Sequence, residues 1–157
     1  MGWRKPPLFW SKKFSILALF LWPFSYFLTI AGRIRRKLTT PYRASIPVIC
    51  VGNVVVGGSG KTPLVIELAK FLQQQGFTPH ILSRGYGVEL NNPILVSVHH
   101  QASDVGDEPL LLAKAAPTWV YADRCETAQL AIKAGATILL MDDGFQNPSL
   151  YKDIQLL

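Results

Sequence analysis

Cysteine is scarce in this sequence of 157 residues, and the two cysteines present lie far apart. Cys50 and Cys125 form no C-x-x-C pair, so the chain contains no recognisable disulfide framework. Buried, reduced thiols are the simplest interpretation, and they fit a protein that faces the cytosol. The three histidines also show no metal-ligand spacing, and we assign no role to them (His80, His99, His100).

Acidic residues are absent from the first 43 positions, which contain nine lysines and arginines. The rest of the chain holds seven basic and ten acidic residues, so the positive net charge comes from the N-terminal segment. A nucleic-acid-binding protein would spread its basic residues over a folded face. A basic segment beside an apolar run favours anionic lipid instead. The charge pattern therefore predicts a membrane partner and no nucleic acid.

Residues 14–31 are an apolar run of eighteen residues without a charge. As a helix the run would reach about 27 Å, near the lower limit for crossing a bilayer. A cleaved signal peptide is disfavoured because no small-residue cleavage site follows, and the flanking charges disfavour a buried core helix. We predict a membrane segment within residues 1–43, with interfacial aromatic anchors at Trp3, Trp10, Trp22 and Tyr26. Pro23 predicts a kink, so spanning and interfacial placement both stay open.

From residue 44 onward, short apolar runs alternate with helical patterns, which is typical of a parallel sheet covered by helices on both faces. Apolar residues spaced by three and four predict a helix over residues 61–75, ended by Gly76. A later helix is predicted between an Asp123 cap and Gly135. We therefore expect residues 44–157 to adopt an α/β fold of the P-loop NTPase type, with a mostly parallel sheet. Leu157 stops inside an apolar strand, from which we expect a truncated lobe.

The sequence VGNVVVGGSGKTP lacks one glycine of the strict phosphate-loop pattern, because Val55 stands at that position. A phosphate site requires inward-facing amides, a helix N-terminus, a lysine and a hydroxyl, and these requirements are met. Pro63 is tolerated in the first helical turn. A variant with lysine before the glycine pair is excluded by Val56. We predict that the residues from the loop into the helix bind ATP (Val55, Val56, Gly57, Gly58, Ser59, Gly60, Lys61, Thr62).

A predicted strand ends in Asp142 and Asp143, which places two carboxylates at the carboxyl edge of the sheet. Carboxylates beside a phosphate loop are suited to hold Mg²⁺, directly or through water, together with Thr62. The alternative is an ordinary Asp-Gly turn. The presence of the phosphate loop favours the metal site.

Three further motifs follow predicted strands or begin helices. In SRGYG, Arg84 could bind phosphate, although a plain loop is an equal alternative. In GDEP, the acids Asp107 and Glu108 precede a helix, and helix capping competes with catalysis as their role. In ADR, Asp123 could be a cap and Arg124 a solvated side chain.

In order along the chain, the membrane segment, VGNVVVGGSGKTP, SRGYG, GDEP, ADR and DDGFQN resemble the tetraacyldisaccharide 4′-kinase family, the lipid A 4′-kinases of Gram-negative bacteria. The resemblance implies transfer of the γ-phosphate of ATP to the 4′-hydroxyl of a tetraacylated glucosamine disaccharide 1-phosphate at the inner membrane, with the site facing the cytoplasm. It also implies that Lys61 contacts the phosphates and that Asp107 helps to activate the hydroxyl. Further polar positions around the phosphates and substrate would be Glu108, Arg124, Arg84 and Gln146.

Two departures from the family pattern limit what the resemblance implies. Asn147 replaces the histidine that usually ends the DDGFQH motif, and the family is about twice as long as this chain. We therefore expect an incomplete active site with little or no turnover by this chain alone. A membrane-tethered NTPase switch and an inactive membrane anchor remain as alternatives. The guanine-specificity motif N-K-x-D is absent, which disfavours a GTPase.

Overall fold

The computed structural model describes residues 25–27, 30, 39–52 and 60–156. The chain divides into two units, Met1–Thr39 and Thr40–Leu157. In the first unit, the described residues 25–27 and 30 are helical, and Tyr26 and Phe27 are exposed. Nearly all of the predicted membrane segment lies outside the described residues. Within the described ranges, no helix combines the length and apolar character needed to cross a bilayer.

The second unit is built on one six-stranded sheet with the order β3-β4-β2-β5-β1-β6. Five strands run parallel, and only the short β3 is antiparallel to its neighbour β4. The strands are β1 Val48–Val51, β2 Pro79–Ser83, β3 Ile94–Leu95, β4 Thr118–Val120, β5 Ile138–Asp142 and β6 Ile154–Leu156. The helices of this unit are α1 Lys61–Gln74, α2 Ala102–Val105, α3 Asp107–Leu112 and α4 Arg124–Lys133. The predicted mostly parallel sheet is confirmed.

Two apolar clusters cover the two faces of the sheet, because successive strand residues point to opposite sides. On one face, Ile49 and Leu140 pack with Val65 of α1 and Leu112 of α3. The opposite face is formed by the alternate strand residues, such as Leu139, together with α4 and Leu150. The predicted placement of helices on both faces is therefore correct.

The helix boundaries agree with the sequence patterns. Helix α1 covers residues 61–74, and Gly76 follows it with a φ of 84°. Asp123 caps α4 by accepting hydrogen bonds from the backbone of Cys125 and Glu126, and Gly135 follows with a φ of 93°. Both cysteines are free thiols, Cys50 buried and Cys125 partly buried, and burial raises the pKa of each.

The segment before β1 pairs through its backbone with the chain that follows β5. The Tyr42 amide donates to the Ser149 carbonyl at 2.7 Å, and the Tyr151 amide donates to the Tyr42 carbonyl at 2.9 Å. Arg43 lies over the ring of Tyr151, and its guanidinium is 3.8 Å from an Asp153 carboxylate oxygen. Residues 42 and 43 therefore pack along residues 149–153.

Candidate active site

The cleft at the carboxyl edge of the sheet brings together side chains from four separate motifs. Its volume is about 280 Å³, and eight residues line it: Lys61, Thr62, Tyr86, Asp107, Glu108, Pro109, Asp142 and Asp143. Six of these are predicted site residues. The carboxyl ends of the parallel strands β1, β2 and β5 meet here, which is where ligands bind in open α/β sheets.

Helix α1 begins directly at this cleft. Gly60 precedes it with a left-handed φ of 73°, and an added Cβ would meet no atom of the described residues within 4 Å. The backbone angle, rather than a lack of space, therefore favours glycine at this position. Lys61 and Thr62 occupy the first turn, whose free amides and dipole favour an anion. The predicted loop residues Val55, Val56, Gly57, Gly58 and Ser59 lie outside the described residues.

An ion pair joins the start of α1 to the end of β5. Lys61 Nζ lies 2.9 Å from Asp143 Oδ1, and both side chains are partly exposed. Such a pair contributes less than about 1 kcal/mol to stability because solvent screens it. The distance shows that the lysine and the two aspartates lie at the same edge of the sheet, as one metal–phosphate complex would require.

Asp142 is a buried carboxylate with an unused oxygen. Only 3% of the residue is exposed, and its Oδ1 has no hydrogen-bond partner among the described residues. Burial, followed by the charges of Glu108 and Asp143, raises the pKa of Asp142 to about 6, against the attraction of Arg124 and Lys61. A buried, unpaired oxygen is costly in a protein unless something binds it.

A magnesium ion fits this donor set. Mg²⁺ prefers oxygen ligands and is usually held by one or two carboxylates together with substrate phosphates and water. Asp142, Asp143 and the Thr62 hydroxyl line the same cleft and supply such oxygens. In the part of the chain that the structure describes, no group of three or more His, Cys, Asp or Glu residues could hold an ion by itself. Phosphate oxygens would therefore have to complete the coordination.

The turn after β5 is tightly constrained. Asp143 has a φ of 50°, and its amide donates to the Val51 carbonyl at 3.0 Å. A Cβ added at Gly144 would lie 1.7 Å from Met141 Sδ, and one added at Gly52 would lie 2.7 Å from Phe145 Cβ. The two aspartates are therefore fixed by close packing of this turn against β1 and the core.

Arg124 differs from its predicted environment. It is 2% exposed, so the expectation of a solvated side chain is wrong. Its Nη1 donates to the Tyr121 carbonyl at 3.4 Å and its Nη2 to the Asp142 carbonyl at 3.3 Å. Burial lowers the pKa of Arg124 to about 10, which leaves it charged at neutral pH. The side chain is buried at the end of β5 and is not among the residues that line the cleft.

Asp107 and Glu108 line the cleft from the start of α3. The preceding Gly106 has a φ of 91°, which interrupts the helical path between α2 and α3. The chain therefore changes direction just before the two acids. Both acids are exposed, and both lie in the first turn of α3. Helix-start and cleft-lining positions are thus compatible.

A second cavity of about 370 Å³ adjoins the cleft and is formed mainly by residues 84–90. Arg84 lines this second cavity, whereas the exposed Gln146 lines neither. Tyr86 lines both cavities and is 80% exposed, although the sequence analysis assigned it no role. The sequence signal that could have identified Tyr86 was an aromatic residue between two glycines, Gly85 and Gly87, after a predicted strand.

Asn147 has a local structural role at the position of the family histidine. Its Oδ1 accepts hydrogen bonds from the Ser149 amide at 2.8 Å and from the Ser149 hydroxyl at 2.7 Å. Its carbonyl accepts a hydrogen bond from the Lys152 amine. The asparagine therefore shapes the turn after the aspartates.

Comparison with known proteins gives a consistent result. A sequence profile described as LpxK, tetraacyldisaccharide-1-P 4′-kinase, matches residues 17–157. The tetraacyldisaccharide 4′-kinase of Gluconobacter oxydans is 52% identical over 156 residues, which cover 98% of this chain and 47% of that protein. That of Parvibaculum lavamentivorans is 50% identical over 158 residues, covering 98% of this chain and 46% of the relative.

Among solved structures, the fold is similar to a crystal structure described as the "apo" form of LpxK from Aquifex aeolicus in complex with ATP. The TM-score is 0.78 at 33% sequence identity, and the match covers 89% of this chain and 48% of that chain. This chain thus spans about half the length of the curated relatives it matches. The profile match extends over most of the chain, and the chain therefore belongs to the tetraacyldisaccharide-1-phosphate 4′-kinase family.

Proposed function

We propose that this chain carries the ATP site of a lipid kinase. The reaction is transfer of the γ-phosphate of ATP to the 4′-hydroxyl of a tetraacylated glucosamine disaccharide 1-phosphate. One observation carries the proposal: Lys61, Asp142 and Asp143 meet at one sheet edge, in a cleft that Asp107 also lines. Phosphoryl transfer requires mainly positioning and charge neutralisation, and this constellation offers both.

Each cleft residue has a role that follows from its chemistry. The amides of the Gly57–Gly60 loop and the first turn of α1 bind the phosphates, and Lys61 Nζ exchanges its Asp143 partner for phosphate oxygens. Thr62, Asp142 and Asp143 hold Mg²⁺, which neutralises phosphate charge when bound. The exposed acids Asp107 and Glu108 line the same cleft, where an acceptor can reach them.

Asp107 acts on the acceptor sugar. An Asp107 carboxylate oxygen accepts the proton of the 4′-hydroxyl as the hydroxyl oxygen forms its bond to the γ-phosphorus. The bond between that phosphorus and the β–γ bridging oxygen breaks, and ADP leaves. The position of Asp107 in the lining of the cleft supports this role because its side chain is exposed and accessible to a substrate.

The basic N-terminal segment and the apolar run of residues 14–31 hold the enzyme at the cytoplasmic face of the inner membrane. An acylated substrate resides in that membrane, so an enzyme held there encounters the substrate by diffusion in the plane of the membrane. The nine basic residues without an acid in positions 1–43 support this location, since anionic lipid attracts such segments.

Nucleotide binding tests the first part of the proposal. In Lys61→Ala, the dissociation constant for Mg–ATP should rise about 10- to 100-fold in isothermal titration, because a charged contact to phosphate is lost. Lys70→Ala is the matched control, since Lys70 lies on the same helix and pairs with Glu67 in solvent. Equal affinities of the parent chain and Lys61→Ala would refute the ATP site.

Phosphate transfer tests the second part. We would replace the matching region of the Gluconobacter oxydans kinase by this chain and supply ATP labelled at the γ-phosphate with tetraacylated disaccharide in detergent micelles. The chimera should label the lipid, and Asp107→Asn should abolish labelling while ATP binding persists. A folded, ATP-binding chimera that leaves the lipid unlabelled would contradict the kinase assignment.

A further inference from the structure

Arg124 is the largest fully buried side chain in the described part of the chain, and the proposed chemistry does not use it directly. Its guanidinium donates to two backbone carbonyls, Tyr121 after β4 and Asp142 at the end of β5. Strand β2 lies between these strands in the sheet. The arginine therefore ties together two strand ends that do not pair with each other.

A buried cation of this kind needs a reason. Burial disfavours a charge strongly, and an apolar side chain of similar volume is often as stable or more stable at such a position. Among the described ion pairs, no carboxylate oxygen lies within 4.0 Å of the guanidinium. Its hydrogen bonds go to the two carbonyls, so they act on the backbone of residues 121 and 142.

The Asp142 carbonyl is a sensitive point of the cleft. The next residue turns into a left-handed φ of 50°, and Asp142 and Asp143 direct carboxylates to the cleft from either side of this carbonyl. The side chain of Met141 fills the space beside Gly144, so the backbone of this turn has little freedom to adjust. A donor that fixes the Asp142 carbonyl thus fixes both carboxylates.

We propose that Arg124 is a positioning residue: it holds the Asp142 backbone so that the two aspartates present their oxygens to a metal–triphosphate complex, without touching the nucleotide. This inference rests on the proposed function. It differs from the role as a phosphate-contacting residue that the family resemblance implies. Residues behind metal ligands commonly have this function, and their loss typically lowers metal affinity about 10- to 100-fold.

Arginine is suited to this position and lysine is not equivalent. A planar guanidinium donates in two directions at once, to Tyr121 and to Asp142, whereas one ammonium on a flexible chain reaches a single region. Arg124→Lys should therefore restore part of the function. Arg124→Met keeps an unbranched side chain and removes both donors.

The experiment measures ATP binding to the 157-residue chain by isothermal titration, with Mg²⁺ varied at fixed ATP and also in EDTA. For Arg124→Met, the Mg²⁺ concentration at half-saturation should rise about 10-fold or more, with ATP affinity in EDTA unchanged. Arg124→Lys should lie between this variant and the parent. Mn²⁺ bound with ATP, followed by electron paramagnetic resonance, should show the same order.

Thr127→Val provides the matched structural control. Thr127 is fully buried on the same helix and donates to the Asp123 and Arg124 carbonyls, and neither hydrogen bond involves Asp142. This variant should lower the melting temperature and leave the Mg²⁺ midpoint unchanged. A shift of the Mg²⁺ midpoint in Thr127→Val as large as in Arg124→Met would make the Arg124 effect a loss of general stability and overturn the inference.

The other outcomes separate the inference from the proposed function. If the parent chain binds no ATP, the proposed function fails and the inference fails with it. If the parent binds Mg–ATP but Arg124→Met and Arg124→Lys keep its Mg²⁺ midpoint, only the positioning role fails. A loss of ATP affinity in EDTA equal to the loss with Mg²⁺ would identify Arg124 as a phosphate contact and also overturn the inference. Arg124→Lys decides the question if Arg124→Met does not fold.

Discussion

At the scale of single residues, Asp142 shows how the site departs from what stability alone would favour. A carboxylate with a buried, unpaired oxygen destabilises the folded protein without its ligand. Asp142 has a pKa of about 6 in the folded state, above the usual 3.8. The folded protein therefore holds a proton that the unfolded chain has released, and the free energy of unfolding falls as pH rises from about 4 to about 6.

Asp142→Asn should therefore stabilise the metal-free protein. At pH 7.5 in EDTA, the free energy of unfolding should rise by up to about 3 kcal/mol, because the buried charge is removed. At pH 4 the difference from the parent should nearly vanish. Urea unfolding at both pH values measures this, while Mg²⁺-dependent ATP binding should be lost.

Asp143→Asn is the comparison for this variant, since Asp143 is half exposed and ion-paired. Its stability should change by less than about 1 kcal/mol. A metal-free Asp142→Asn protein that is less stable than the parent at pH 7.5 would contradict the account of Asp142.

Gly144→Ala tests the closed turn. The added Cβ would lie 1.7 Å from the buried Met141 Sδ, so the side chain or the backbone must move. We expect a loss of about 1–3 kcal/mol in the free energy of unfolding. In a Met141→Ala background the same substitution should cost much less, because the obstructing side chain is gone. Equal costs in both backgrounds would show that the Met141 contact does not set the glycine requirement.

The sequence predicted some of these residues and missed others for a physical reason. Lys61, Thr62 and Asp142 follow from local patterns, since a glycine-rich turn before a helix and acids after a strand together favour a phosphate and metal site. The burial of Arg124 depends on how α4 packs on the sheet, against β2 and β4, which no local pattern encodes. Tyr86 was missed because its glycine neighbours mark a loop but do not show that the loop's path places the side chain between two cavities.

At the scale of elements, local signals set helix ends well. Apolar spacing and Gly76 defined α1, and Asp123 with Gly135 defined α4. Strand β3 has only two residues and pairs antiparallel with β4 at the sheet edge. Edge pairing depends on distant residues of β4, so it was not readable from the segment itself.

Asp123→Ala should destabilise the protein by about 1 kcal/mol, because two amides at the start of α4 lose their acceptor. Thermal unfolding followed by circular dichroism measures the effect. Glu126→Gln, an exposed change in the same turn, should cost only a few tenths of a kcal/mol. If both variants unfold at the same temperature, the cap does not stabilise α4 as described.

At the scale of the whole molecule, the charge is divided between the two units. The full chain should sediment with vesicles of anionic phospholipid, and residues 40–157 alone should not. The reason is that the net positive charge and the apolar run of residues 14–31 lie in the first 43 positions. Replacing the four basic residues of positions 33–37 by Gln should weaken the binding of the chain to these vesicles mainly at low salt (Arg33, Arg35, Arg36, Lys37). Binding of residues 40–157 as strong as that of the full chain would contradict the membrane assignment.

The pairing of Tyr42 with Ser149 and Tyr151 has a mechanical consequence. A pulling force applied to the chain at Thr40 would act first on these hydrogen bonds and only then on β1. Residues 149–151 follow within eight positions of Asp143, so tension from a lipid-held N-terminus would be borne beside the acids. These hydrogen bonds would therefore shield β1 from such tension.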